Sequence, residues 1–344
     1  MAAGRDTALL MMNLMNAPVP LSPALELALP VDTAVIGVGY FGSLHALCYS
    51  RLPGSRLQAL IDPDPITQFL AEHLGVPWFP GVAELPSTIR AVSVATPVAT
   101  HFGLTRSLLQ QGLDVLLEKP IAETAAQATE LRMVAEANQC ILQIGHIERF
   151  NPAYTAGRTL LPFARTIRSV RTTRHPPRSS ALDVVIDLMI HDLDLILHSL
   201  DSSVVELRAS GRSCGLTAID EAEVELTFSN GCRVYLDAHW GRDTEQDARC
   251  MVAELENDET WVIDFRRRMT YRKAPGSSTG PLPADDHTLP FPTQGIQEDT
   301  LSLQLAAFLD ACRNRSLPQV TPAEGNAALK LAHHIRQQIL RACP

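Results

Sequence analysis

The sequence has little of what marks several other classes of protein. Its 344 residues include seven cysteines but no Cys-x-x-Cys pair, which argues against a disulfide framework or a zinc site and favours reduced thiols in a cytoplasm. Lys and Arg number 29 against 38 Asp and Glu, and the net charge of −9 argues against a nucleic-acid partner, because a phosphate backbone needs a basic face. The sequence also lacks an apolar run long enough to cross a membrane.

The bulk composition fits a globular protein with a sizeable core. Hydrophobic residues make up 46% and charged residues 19% of the chain, and the length suits two domains of ordinary size. The first thirty residues differ, because a short apolar stretch is followed by four prolines. We interpret residues 1–30 as a mobile N-terminal extension or as the product of an early start codon, with Met11, Met12 or Met15 as the alternative start.

The most informative stretch is residues 31–42, Val-Asp-Thr-Ala-Val-Ile-Gly-Val-Gly-Tyr-Phe-Gly. A β-branched strand here breaks into a G-x-G-x-x-G turn at Gly37, Gly39 and Gly42, and Tyr40 and Phe41 begin the helix that follows. Such a turn lets backbone N–H groups approach a pyrophosphate at the positive end of a helix. The motif therefore predicts a dinucleotide site formed by these five residues.

Asp62 indicates which dinucleotide is bound. It lies at the end of a second predicted strand, twenty residues after Gly42, and no Arg or Lys follows it directly. A carboxylate at this place accepts hydrogen bonds from ribose hydroxyls and repels the additional phosphate of NADP. We therefore predict that the cofactor is NAD.

Strands and helices alternate from Val31 to about Ile147, which predicts a doubly wound parallel sheet. In such a sheet, ligands lie outside the carboxyl ends of the strands. We therefore expect six residues to face this crevice, either at the ends of three predicted strands or at the start of the helix after one of them. They are Thr96, Pro97, His101, Glu118, Lys119 and His146.

Lys119 is the residue of this group that we expect to stabilise charge during the reaction. Pro120 disfavours the helical conformation at the preceding residue, so the lysine is expected to be extended at the end of its strand. An ammonium group held there can stabilise negative charge that develops on a reacting oxygen.

A second group of polar residues lies in an apolar segment about seventy residues further on. On a helix, Asp183, Asp187, His191 and Asp194 would fall on one face, because residues three or four apart are neighbours. Asp187 is placed one turn before His191 and could orient its ring as a general base. Asp and His at this spacing could alternatively ligate a metal. The charge of Lys119 and the presence of a nicotinamide as hydride acceptor argue against a metal site.

Three motifs together resemble the Gfo/Idh/MocA oxidoreductases: the glycine turn, Glu118-Lys119-Pro120, and the Asp187-x-x-x-His191-Asp192 segment. The resemblance implies a Rossmann domain at 31–147 and a second α/β domain at 148–344, built on an open, mostly antiparallel sheet that binds substrate. That sheet commonly forms the subunit interface of homodimers or homotetramers. It also implies that Lys119 and His191 lie at the nicotinamide and that Asp187 assists His191. Many members carry a glycine pair shortly before this aspartate, and this chain does not.

Two shorter stretches narrow the resemblance. Residues 145–153 and 183–188 look most like a branch whose members oxidise the C3 hydroxyl of UDP-N-acetylglucosamine with NAD, ahead of an aminotransferase that supplies amino sugars for lipid A. Other sugar or polyol substrates, such as an inositol or another nucleotide sugar, remain open. A non-catalytic dinucleotide-sensing regulator is a further alternative, although it would not need Lys119, Asp187 and His191 together.

A nucleotide-sugar substrate needs cations for its diphosphate. Arginines recur at 165, 168, 171, 174 and 178, and we expect Arg174 and Arg178, which are nearest to the predicted catalytic helix, to contact the diphosphate. The other arginines are expected to be solvated charges on an edge strand. The remaining predicted substrate contacts come from the two stretches above and from the crevice: His146, Arg149, Asn151, Asp183 and His191.

The second domain also contains a hairpin signal. Asn230-Gly231 separates two runs of alternating hydrophobicity, and this dipeptide favours a tight turn between antiparallel strands.

Overall fold

The computed structural model describes residues 29–173, 182–215, 218–240, 248–273 and 299–342. The chain divides into two compact units. The first comprises Met1–Ile147 and Gln297–Asn326, and the second comprises Glu148–Ile296 and Ala327–Pro344.

The first unit contains a six-stranded parallel sheet. Its strands are β1 (Val31–Ile36), β2 (Ser55–Ile61), β3 (Trp78–Phe79), β4 (Ala91–Val94), β5 (Asp114–Glu118) and β6 (Leu142–Gly145), and its helices are α1 (Tyr40–Tyr49), α2 (Gln68–Leu74), α3 (Val98–Gln110) and α4 (Ala125–Ala137). The strands lie in the order β3-β2-β1-β4-β5-β6, and every neighbouring pair is parallel. The predicted doubly wound sheet is confirmed.

A helix from the C-terminal part of the chain completes the core of this unit. Helix α7 (Thr300–Asn314) buries Leu305 and Phe308 among residues of β1, β2 and α1. Just beyond it, Arg315 donates to the Asp114 carboxylate at 2.6 Å. From the sequence we assigned residues 148–344 to the second domain. Residues 297–326 instead belong to the first unit, because the apolar face of α7 packs there.

The second unit contains a seven-stranded sheet in the order β13-β12-β11-β7-β10-β9-β8. Its strands are β7 (Ala164–Thr173), β8 (Val204–Arg212), β9 (Glu221–Phe228), β10 (Arg233–Trp240), β11 (Arg249–Leu255), β12 (Thr260–Asp264) and β13 (Met269–Arg272). Only the β7–β10 pair is parallel among these strands, so the sheet is mostly antiparallel as expected. The Asn230-Gly231 hairpin is also confirmed, since β9 and β10 pair antiparallel across it and Gly231 has φ +88°.

Among the residues that the structure describes, three α-helices lie wholly or partly within this unit. They are α5 (Pro152–Gly157), α6 (Ile190–Ser199) and α8 (Pro322–Ala342), and a π-helical turn at Val185–Met189 leads directly into α6. No helix in the described part of the chain is both long and apolar enough to cross a membrane.

The central strand of the second sheet carries a buried charge. Arg171 of β7 donates from Nε to Asp192 at 2.8 Å and from Nη1 to Glu148, also at 2.8 Å, and its side chain is 3% exposed. Burial acts to lower the pKa of this guanidinium, but the two carboxylates outweigh that effect and raise its pKa above the usual value. The prediction of solvated edge-strand arginines is therefore wrong for Arg171, because β7 lies in the middle of the sheet and its inward side chains are covered.

We expect Arg171→Met to destabilise the protein by about 3–5 kcal/mol, because it leaves two carboxylates buried without their cation. Arg165→Met, on the same strand, is the matched control. Its ion pair with Asp258 is exposed, and exposed pairs contribute little to stability. Chemical denaturation of both variants measures the difference. Equal unfolding free energies would show that the buried network does not stabilise the fold.

Candidate active site

The turn after β1 depends on two of its glycines. Gly37 has φ +83°, and a Cβ there would lie 2.7 Å from Thr96 Cγ2 and 2.8 Å from the Ala95 backbone. A Cβ at Gly42 would lie 1.7 Å from the Gly37 carbonyl oxygen. Because larger residues cannot fit at either position, the turn brings α1 close against β1, which is the packing that the sequence motif predicted.

The outer side of the turn leaves room for a cofactor. Gly39 is exposed, and a Cβ added there would meet no atom within 4 Å in the described part of the chain. The rings of Tyr40 and Phe41 pack edge to face at 5.4 Å at the start of α1, and Phe41 is 40% exposed. These features fit a pyrophosphate lying on the turn, at the positive end of the α1 dipole.

Asp62 lies beside the turn, at the end of β2. Its Oδ2 accepts a hydrogen bond from the Val38 N–H at 2.6 Å, and its Oδ1 accepts one from the Asp64 N–H at 2.8 Å. Each carboxylate oxygen has a second lone pair, and the residue is partly exposed. The carboxylate is thus oriented by the backbone and has acceptor capacity left for the ribose hydroxyls of NAD.

The segments that follow β4 and β5 are joined by one buried side chain, that of His101. Thr96 Oγ1 accepts from Thr100 Oγ1 at 2.8 Å, next to the exposed Pro97. His101, on α3, has both ring nitrogens 2.8 Å from backbone carbonyl oxygens, those of Thr96 and Pro120. We predicted His101 as a cofactor contact. Its ring is instead occupied by the protein, so it supports the loops that face the crevice.

Glu118 and Lys119 follow at the end of β5. The Glu118 carboxylate lies 3.3 Å from Nε2 of the fully buried His45, and a Cβ at Gly145 would come within 2.6 Å of it. The side chain therefore folds back over β6 and α1. Lys119 is partly exposed, and the peptide bond between Lys119 and Pro120 is cis.

Two buried histidines lie on elements next to β5: His45 on α1 and His146 at the end of β6. His146, immediately after β6, is 1% exposed and His45 is 0% exposed. Sequence reasoning missed His45. The available signal was a polar residue followed in the predicted helix by three apolar residues, Ala46, Leu47 and Cys48.

In the second unit, the helical segment that carries His191 is not a regular α-helix. The π-helical turn at Val185–Met189 changes the spacing on which a single polar stripe was predicted. Asp187 lies in this turn and His191 lies at the start of α6, and both are partly exposed. These two residues remain the candidate base and its orienting acid.

The other polar residues of the predicted stripe are buried and ion-paired. Asp183 accepts from the Ile186 N–H at 3.2 Å, which caps the helical segment, and it also pairs with Arg336 of α8. Asp194 receives two hydrogen bonds from Arg149, at 2.6 and 2.9 Å. Both aspartates hold the segment in place and do not line its exposed side.

Three residues that we predicted as substrate contacts therefore have partners within the protein. Arg149 pairs with Asp194, and Asp183 pairs with Arg336. Asn151 caps α5 by accepting from the Ala153 N–H at 3.1 Å and donates to Glu148 at 2.9 Å. They are not part of the substrate site proposed below. Arg174 and Arg178 lie outside the described residues. Within residues 29–173, 182–215, 218–240, 248–273 and 299–342, no group of three His, Cys, Asp or Glu side chains is placed to hold a metal ion.

Comparison with known families agrees with this geometry. Residues 31–146 match the model described as an oxidoreductase family with an NAD-binding Rossmann fold, and residues 163–253 match the GFO/IDH/MocA C-terminal domain. The chain belongs to the Gfo/Idh/MocA family of oxidoreductases. Its first unit is an NAD-binding Rossmann domain.

Individual relatives are similar over most of their length. The UDP-N-acetylglucosamine 3-dehydrogenase of Acidithiobacillus ferrooxidans is 31% identical over 283 residues, which cover 81% of this chain and 88% of the relative. A solved structure of that enzyme has a TM-score of 0.81 at 28% identity and covers 91% of this chain and 99% of its own. The NAD-dependent scyllo-inositol 2-dehydrogenase of Bacillus subtilis is 24% identical over 88% of this chain and 92% of its own.

The position of Asp62 predicts how cofactor preference will respond to substitution. We expect Asp62→Ser to raise the dissociation constant of NADH about tenfold, because a charged hydrogen-bond acceptor is lost. The binding of NADPH should improve relative to that of NADH, because the negative charge that repels its phosphate is gone. Fluorescence titration with both cofactors measures the two constants.

Asp64→Ser is the matched control for this experiment. Asp64 is exposed and its side chain caps a short 3₁₀ turn by accepting from the Ile66 N–H. The control should leave both dissociation constants near those of the unchanged protein. An unaltered NADH-to-NADPH ratio in Asp62→Ser would contradict the role given to Asp62.

Proposed function

We propose that this protein is an NAD-dependent dehydrogenase that oxidises the C3 hydroxyl of UDP-N-acetylglucosamine to the 3-keto sugar, upstream of a transaminase that makes an amino sugar for lipid A. The observation that carries the proposal is the 31% identity to a UDP-N-acetylglucosamine 3-dehydrogenase of which this chain covers 88%. The partly exposed Lys119, Asp187 and His191 support it, because they supply the groups that such an oxidation needs.

The proposed mechanism gives one role each to His191, Lys119 and Asp187. His191 accepts the hydroxyl proton, and the ammonium group of Lys119 stabilises the negative charge that develops on the oxygen. Asp187 orients the imidazole and balances its positive charge after proton transfer. Bound NAD supplies the acceptor for the hydride that leaves the carbon, so the C–O bond becomes a carbonyl.

A polyol is the second candidate substrate. The inositol dehydrogenase relative is matched over 92% of its length, although its identity to this chain is lower. Both candidates require the same proton transfer and the same cofactor, so they differ only in the residues that recognise the rest of the substrate.

We expect purified protein to reduce NAD when UDP-N-acetylglucosamine is supplied, and to turn over scyllo-inositol and myo-inositol much more slowly. His191→Asn and Lys119→Met should each lower kcat by about 10²–10⁴-fold, because each removes a group that acts in the transition state. NADH binding should persist in His191→Asn. Initial rates of NADH formation and NADH titrations provide the measurements.

His198→Asn serves as the control, since His198 is exposed near the end of the same helix. Its kcat should remain near that of the unchanged protein. Turnover of an inositol without turnover of the nucleotide sugar would replace the first candidate by the second. Full activity in His191→Asn would remove that residue from the mechanism.

We also propose that the protein assembles as a homodimer or homotetramer through the second sheet. Arg168 of β7 lies over the ring of Tyr235 of β10 at 4.3 Å. Two residues further along β10, Asp237 pairs with Glu223 of β9. Tyr and Arg are residue types that are enriched in interfaces, so the stacked Arg168 and Tyr235 support this face as the proposed interface.

Tyr235→Glu should therefore shift the protein from an oligomer to monomers, because it places an additional carboxylate beside Glu225 in an interface. Phe163→Glu is the control, since Phe163 is a 62% exposed aromatic residue just before β7 and not on its face. Light scattering after size-exclusion chromatography gives the masses. A monomeric unchanged protein would refute the assembly.

A further inference from the structure

His101 occupies an unusual position in the first unit. It lies on α3, its residue is 1% exposed, and both of its ring nitrogens contact backbone oxygens at 2.8 Å. Nδ1 faces the carbonyl of Pro120, and Nε2 faces the carbonyl of Thr96. The ring thus spans the ends of two adjacent strands, β4 and β5, which pair in parallel.

Hydrogen bonds to both carbonyls require a proton on each ring nitrogen. A neutral imidazole has one N–H donor, whereas a carbonyl oxygen can only accept. Burial lowers the pKa of His101 from its ordinary value, against the opposing effects of the two carbonyls and of the Glu118 charge. Burial thus favours the neutral ring, whereas the two carbonyls at 2.8 Å favour the ring with a proton on each nitrogen.

Each carbonyl belongs to a segment of the proposed site. Thr96 packs against the glycine turn, since its Cγ2 would lie 2.7 Å from a Cβ at Gly37. Pro120 directly follows Lys119, so a hydrogen bond to the Pro120 carbonyl fixes the backbone from which the ammonium group extends. The His101 side chain thereby connects the glycine turn to Lys119.

We propose that His101 is a positioning residue with two separable effects: its Nε2 contact holds the Thr96 segment for cofactor binding, and its Nδ1 contact holds Lys119 for the chemical step. The second effect rests on the function proposed above for Lys119. The first effect depends only on NAD binding by the Rossmann domain.

Two amide substitutions separate the contacts. The amide nitrogen of Asn lies near the position of a histidine Nδ1, and that of Gln lies near the position of Nε2, and both donate without titrating. His101→Asn therefore keeps a donor for Pro120 and loses the one for Thr96. His101→Gln keeps a donor for Thr96 and loses the one for Pro120. His101→Leu loses both.

We expect His101→Asn to raise the NADH dissociation constant about tenfold with kcat nearly unchanged, because a buried carbonyl is left without its donor. His101→Gln should show the reverse, with kcat at saturating NAD lowered about tenfold and NADH binding retained. His101→Leu should show both losses. Titration of NADH and initial rates with UDP-N-acetylglucosamine give the two constants, and thermal denaturation checks that each variant is folded.

A substrate-independent measurement separates this proposal from the proposed function. The rate at which acetic anhydride acylates Lys119, followed by peptide mass spectrometry, should rise in His101→Gln and stay unchanged in His101→Asn. If no substrate is turned over but the acylation and NADH results divide as expected, the positioning role stands and the proposed function fails. Equal effects of the Asn and Gln variants on both readouts would overturn the positioning role. If His101→Leu does not fold, the Asn and Gln pair alone decides.

Discussion

The carboxyl edge of the parallel sheet is the constraint on which the first unit depends. Where parallel strands end, backbone donors and acceptors lose their ladder partners and must find others if they are buried. Side chains fill this need at three places: Asp62 accepts from the Val38 N–H, the ring of His101 lies between the carbonyls of Thr96 and Pro120, and Glu118 accepts from the Lys119 N–H. The same edge binds the cofactor, so the groups that stabilise the strand ends also determine the shape of the cofactor site.

The second unit meets a different constraint, because its central segment buries charges. Arg171 with Glu148 and Asp192, and Arg149 with Asp194, are all nearly inaccessible to solvent. Such pairs are stable only when each charge keeps its partner. These hydrogen-bonded ion pairs attach α6 and residues 148–151 to the middle of the sheet. Asp187 and His191 remain partly exposed on the helical segment that these pairs and Asp183 hold.

Much of the fold and part of the site followed from local patterns. The glycine turn, Asp62, the alternating strands and helices and the Asn230-Gly231 hairpin are each encoded by residues close together in sequence. The packing of α7 in the first unit, the burial of Arg171 and the π-helical turn before α6 were not predictable in this way. The first two depend on partners distant in sequence, such as Asp114 for Arg315 or Asp192 for Arg171, and a pattern in one segment carries no information about that partner.

Burial divides the predicted site residues into two groups. His101, Arg149, Asn151 and Asp183 are all less than 9% exposed, and their polar atoms contact other parts of the protein. Lys119, Asp187 and His191 are partly exposed. The sequence does not distinguish the two groups, since a polar residue in an apolar segment can be either a ligand contact or a structural partner. Burial separates them, because a buried side chain whose donors and acceptors are occupied inside the fold has little left to offer a ligand. A catalytic site of this kind therefore consists of few reacting groups and a larger set of buried side chains that fix their positions.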